Sequence, residues 1–216
     1  MGVSLHYWAM PPSSVLFKRL QTEGAFVTLM GGLFCYGSGI FFFFDDLSSA
    51  AREEILQDLI NSQQKVLGPE PMAKRLIEEF RQEVERTRLS YAGVEQRRCS
   101  LEKTGSLIEE RVAQALKEGR DDASTFVGKL LHGDQPHGAL KDTEFDIEEF
   151  SSNPAYLCGN FVSPALVKEG AQVLGALDAE TLFIDDTAWQ LQSFQRWRSV
   201  YMAAAAHDEV LCTGVC

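Results

Sequence analysis

His132, Asp134 and His137 fall together in the loop His132-Gly133-Asp134-Gln135-Pro136-His137-Gly138. Imidazole and carboxylate groups at such spacing are the usual metal ligands and acid–base groups. A metal site needs three or four convergent donors, and His-x-Asp-x-x-His can supply three. The plainer reading is a polar loop that ends the apolar helix Phe126–Leu131. A second group lies just beyond, in Asp142-Thr143-Glu144-Phe145-Asp146-Ile147-Glu148-Glu149-Phe150. Phe145 and Ile147 interrupt its carboxylates and no glycine falls inside it, so it is not an EF-hand calcium loop. An alternating acidic and apolar run is most often a solvated edge or a flexible connector; the other reading makes Glu144, Asp146, Glu148 and Glu149 an electrostatic strip for a basic partner. A third group is aromatic. Trp189, Trp197 and Tyr201 on one helix could line a pocket, with Arg196 and Arg198 to hold an anion, although helical spacing is also what a core stripe requires.

Other chemistries find no support. No Gly-x-Gly-x-x-Gly follows a strand, and Gly128-Lys129-Leu130 lacks the rest of a phosphate loop. Ser38 in Tyr36-Gly37-Ser38-Gly39-Ile40 has a glycine on each side but no assignable His and acid. Five cysteines at wide spacings, with Cys212 and Cys216 near the end, fit no zinc pattern and read as reduced thiols. No cofactor is called for.

The 216 residues, 24.1 kDa, are 45% hydrophobic and 24% charged, ordinary values for a globular chain with its own core. A pI near 4.8 and net charge of -11 argue against nucleic acid, since phosphate binding needs a basic face. The acidity is uneven: residues 121–216 hold fifteen acidic groups against five basic, net -10, whereas residues 51–120 hold thirteen of each. The start, Met1-Gly2-Val3-Ser4-Leu5-His6, lacks the features of a secretion signal, and His6 stands where a myristoylation motif wants Ser or Thr; a cytoplasmic protein is expected. The window Ala25–Phe44 is long enough to span a membrane. Gly31, Gly32, Gly37 and Gly39 break it, and the expected reading is a buried turn-and-strand region with no membrane role.

These groups need elements to hold them. Val3 to Trp8 alternates and is rich in β-formers, so it reads as a strand, and Glu209–Val215 reads as a closing strand that pairs with it. Between them the pattern is helical. A Ser-capped helix starts at Val15, and another runs from Ser48-Ser49 to Leu67, where Gly68-Pro69 stops it. Met72, Leu76, Phe80 and Val84, with Ile77 beside them, stripe a helix from about Pro71 to Tyr91. Leu101, Ile108, Val112, Ala115 and Leu116 stripe the next, ended by Gly119. Ser163-Pro164 opens a helix to about Leu177, Asp178 caps a short turn, and a long aromatic helix covers about Asp186 to Ala206.

Several of these segments resemble the YfbM-like family, a bacterial family of unknown function. The opening Met1-Gly2-Val3-Ser4-Leu5-His6-Tyr7 is similar to its start, and Leu130-Leu131-His132-Gly133 to its Leu-Leu-x-Gly helix ending. Val162-Ser163-Pro164-Ala165-Leu166-Val167-Lys168-Glu169 resembles its Ser-Pro-x-x-Val-Lys-Glu helix, followed by the aromatic helix and last strand in the same order. The resemblance implies a mixed α+β fold and a bacterial cytoplasmic setting, and no mechanism.

The expected fold is therefore α+β: a helix-rich single domain, a small sheet joining the termini, and a helical insertion at about 48–119. The expected function is a non-enzymatic protein-binding or regulatory module whose partner carries a basic surface. The alternative is a hydrolase, or a small-molecule or metal-binding protein, that uses the His132–His137 loop.

Overall fold

The structure, a computed structural model, describes residues 4–35, 54, 57–58, 60–61, 63–89, 97–140 and 160–215. In chain order its elements are β1 (Leu5–Met10), α1 (Val15–Thr22), α2 (Gly24–Cys35), α3 (Gln64–Leu67), α4 (Glu70–Leu89) and β2 (Arg98–Ser100). There follow α5 (Gly105–Leu116), α6 (Ala123–His132), β3 (Gln135–Pro136), β4 (Asn160–Val162), α7 (Pro164–Ala176), α8 (Ala179–Leu182), α9 (Ala188–Ala206) and β5 (Val210–Val215). Single 3-10 turns occupy Glu102–Thr104 and Gly138–Leu140. The fold is α+β. Two compact units divide the chain: Met1–Pro12, Gly93–Pro136 and Asn160–Cys216 form one, Ser13–Ala92 and His137–Gly159 the other.

The first unit contains the sheet, all antiparallel, in the order β2-β1-β5-β4-β3. As the alternation predicts, the first and last strands pair, in continuous register from Leu5↔Val215 to Met10↔Val210. Leu5, Tyr7 and Ala9 point into the core, and His6 and Trp8 lie half-buried on the other face. Strands β2, β3 and β4 were not expected. Each has only two or three residues, too few to show a period, and pairing with longer strands defines them. Leu101, Ile108 and Val112, then Phe126, Val127, Leu130 and Leu131, pack with Leu166, Val167 and Leu174 of α7 and Phe194, Trp197 and Tyr201 of α9. The short edges of this sheet, one of them containing Pro136, leave little strand open to edge pairing.

The second unit is helical. Ser14 caps α1, accepting from the Phe17 N–H at 3.1 Å, as expected. Leu16, Phe17 and Leu20 are its buried face. On α4 the buried stripe is Ala73, Ile77, Phe80 and Val84, and Met72 is exposed. A strict four-residue repeat drifts about 40° per step from the 3.6-residue turn, which is why the expected Met72–Leu76 end of the stripe rotates outward. Phe80 meets Phe26 edge-on at 5.3 Å, and the Arg19 guanidinium lies 3.6 Å over the Phe26 ring while bonding Glu23 and Glu79. The Gly31-Gly32 turn is corrected: both glycines lie inside α2. With Phe26, Val27, Thr28, Leu29 and Met30 all buried, burial on every side offsets the roughly 1 kcal/mol that each glycine costs a helix. No helix among the described residues is long and apolar enough to cross a membrane. Residues 36–44 of the apolar window lie outside the described residues.

Candidate functional site

The loop that holds His132 and Asp134 leaves the C-terminus of α6, where four helix carbonyls lack an intrahelical donor. All four are satisfied. The Lys129 carbonyl accepts from the Gly133 N–H at 2.9 Å, and Gly133, at φ +88°, turns the chain out of the helix. A side chain here would meet the Asn160 Cβ at 2.7 Å and the Phe161 carbonyl at 2.9 Å, so the position requires glycine. The Tyr201 hydroxyl donates to the Leu130 carbonyl at 2.6 Å and the Tyr7 hydroxyl to that of Leu131 at 3.0 Å. The Thr213 hydroxyl lies 3.2 Å from the carbonyls of both His132 and Asn160. Burial raises both phenols well above their ordinary pKa and keeps them as neutral donors. Strand β1, helix α9 and strand β5 thus each send one side chain to cap a single helix end.

Beyond Gly133, the Asp134 N–H donates to the Phe161 carbonyl at 3.1 Å. The Asp134 carboxylate accepts from the Ser163 N–H and from the Ser163 hydroxyl, both at 2.7 Å. Ser163 takes the N-cap of α7 and Pro164 begins the helix, as expected; the Ser163 side chain makes no capping bond, and Asp134, 29 residues earlier, holds it. The His132 side chain is exposed.

His137 belongs to the second unit and is fully buried there, with Phe17 edge-on at 6.1 Å. Gln21 of α1 grips it from one side. The Gln21 Oε1 accepts the Gly138 N–H at 2.9 Å, so its amide nitrogen is the donor to His137 Nδ1 at 2.8 Å. The ring therefore carries its proton on Nε2, and the Nδ1 lone pair is occupied. Burial pushes the imidazole pKa down to about 4, so it is neutral at physiological pH.

These three residues therefore have different surroundings: an exposed imidazole, a carboxylate that holds Ser163 ahead of α7, and a buried imidazole braced on α1. Among the described residues no group of three or more His, Cys, Asp or Glu could hold a metal. Trp197 is fully buried, its ring 5.4 Å from Tyr201 and 6.3 Å from Tyr7, and it packs the core; Trp189 stands partly exposed. Arg198 donates to the Leu177 carbonyl at 3.1 Å. Glu144, Asp146, Glu148 and Glu149 lie outside the described residues. Cys99 and Cys212 are free thiols; burial pushes Cys99 up to about 12 and Cys212 further, which leaves both as inert thiols at neutral pH.

Two surface clefts of the first unit went unrecognised in the sequence. One, of about 520 Å³, is bordered by Arg120, which bonds Asp122 and Glu169 and lies 3.6 Å over the Phe126 ring, so its charges are matched. The other, of about 470 Å³, lies between α5 and α8 and is lined by Glu110, Arg111, Gln114, Leu177, Asp178 and Leu182, among others. Arg111 bonds Asp186 at 3.1 Å. Neither could be read from spacing, because residues more than about 50 positions apart in sequence meet there. The expectation that Asp178 caps a turn holds: it accepts from the Glu180 N–H at 3.2 Å and the Thr181 hydroxyl at 2.7 Å.

No family model, no curated protein and no solved structure matches this chain.

Proposed function

We propose that this chain is a non-catalytic, cytoplasmic protein-binding module, related to the YfbM-like bacterial family, whose acidic surface recognises a basic partner. One observation carries the reading: Asp134 and His137 are spent on internal hydrogen bonds, while other carboxylates among the described residues stay exposed. Asp121, Glu180 and Asp185 are exposed and make no ion pair among the described residues. A surface with several unmatched carboxylates favours a cationic partner and accelerates its encounter at low ionic strength.

The test is a random-peptide library panned against the full chain at low salt. Enriched peptides should be rich in Lys and Arg and should bind more weakly as salt rises. Enrichment without a basic bias, or binding indifferent to salt, contradicts the proposal.

A further inference from the structure

We propose that the cleft between α5 and α8 is the docking site for a basic, amphipathic peptide segment of the partner protein; this rests on the protein-binding reading above and assigns it a surface. Ala115, Leu177 and Leu182 supply the apolar part of the cleft lining. Its charge is what decides the occupant. Glu110 is exposed and makes no ion pair among the described residues. The Thr181 hydroxyl bond, aided by backbone N–H groups, holds the Asp178 carboxyl below the usual carboxylate range, so it stays anionic. Arg111 is the lining cation, bonded to Asp186 at 3.1 Å, and Arg198 lies near enough to Asp178 to help lower its carboxyl, so two cations face the three carboxylates Glu110, Asp178 and Asp186. The charge left over is negative.

The segment that forms one wall also carries apolar surface. Ile184, two residues past Leu182 and two before Asp186, is 77% exposed, and Trp189 in the first turn of α9 is 42% exposed. Asp185 stands between them in sequence, exposed and without an ion pair among the described residues. An isolated exposed apolar side chain is ordinary. Two of them in the segment that continues from Leu182, with Asp186 of that segment bonded to the lining Arg111, give the mix of apolar and charged groups that binding surfaces use.

A lysine or arginine matches this combination. Its aliphatic stem can lie on Leu177 and Leu182 while its head meets Glu110 and Asp178. A neighbouring apolar residue of the same segment would cover Ile184 and Trp189, aromatic contact adding affinity there. A cleft of about 470 Å³ accepts side chains and a short stretch of backbone, but not a folded domain. Phosphate-bearing partners would be repelled by the same carboxylates.

The experiment titrates the full chain with a short peptide of alternating Lys and Leu pairs. The Glu110→Lys variant should bind about tenfold more weakly, whereas Asp121→Lys, an equal charge change at an exposed residue that does not line the cleft, should shift affinity less than about twofold. Ile184→Ser should weaken binding about threefold with no charge change. All three positions are exposed, and unchanged thermal midpoints will verify folding. Equal weakening by Glu110→Lys and Asp121→Lys, or wild-type affinity in Ile184→Ser and Glu110→Lys alike, overturns the docking cleft while the protein-binding reading stands. A peptide that does not bind the wild-type chain, together with no basic bias in the panned library, overturns both.

Discussion

The end of α6 and the segment from Leu177 to Trp189 belong to the same unit and use polar groups in opposite ways. At the first, four carbonyls, two phenols, a threonine hydroxyl and the Asp134 carboxylate are paired inward. At the second, Glu180 and Asp185 point outward beside exposed Ile184 and Trp189. The lesson is that residue types with the richest chemistry are not where an interaction surface must lie. A buried helix terminus needs donors, and unpaired buried carbonyls cost about 1–3 kcal/mol each, so histidine-, aspartate- and tyrosine-rich loops can arise from folding alone.

The contrast breaks most readily at Trp197. As a core residue, its replacement in Trp197→Ala should cost about 3–5 kcal/mol of stability, read from denaturant midpoints; a pocket-lining tryptophan would cost far less. His137 gives the next largest effect, through pH. Its folded pKa of about 4 lies below the ordinary 6.5 of an unfolded histidine, so between those values the unfolded chain binds the extra proton. Stability should fall by up to about 3 kcal/mol as pH drops from 6.5 to 4, and His137→Gln should lose that part of the pH dependence. Identical slopes in variant and wild type would remove the buried-brace role.

Asp134→Ala should cost about 1–2 kcal/mol by releasing the start of α7, with Asp134→Asn recovering part of it; circular dichroism melts decide this. The smallest effect concerns the carboxylates beyond His137. Neutralising Glu144, Asp146, Glu148 and Glu149 to Gln or Asn should slow association with a basic peptide a few-fold at low salt and leave stability unchanged. Stopped-flow traces that superimpose with wild type would exclude these four carboxylates from recognition.

What the sequence made legible followed local rules. The β1–β5 pairing was readable because Val3–Trp8 and Glu209–Val215 each show strand character. The helix at Ser163-Pro164 was readable from its own first two residues. The α9 start shifted only to Thr187, whose hydroxyl and Gln190 form a capping box. The rest depends on distant partners. Tyr7 and Leu131 are 124 residues apart, and Gln21 and His137 are 116 apart. No window of sequence contains both members of such a pair, so His132, Asp134 and His137 looked like a constellation when each serves a separate contact. Trp189 and Trp197 shared one expected stripe, yet only Trp197 has a core to enter.

The most direct test of this division of labour is one binding titration on two variants, at a temperature where both are folded. The Lys/Leu peptide is added to Asp134→Ala and to Glu110→Lys. Asp134→Ala, though less stable, should bind with wild-type affinity, and Glu110→Lys, though as stable as wild type, should bind about tenfold more weakly. Loss of binding in folded Asp134→Ala with full binding in Glu110→Lys would contradict that division, and would return the site to the His132–His137 loop.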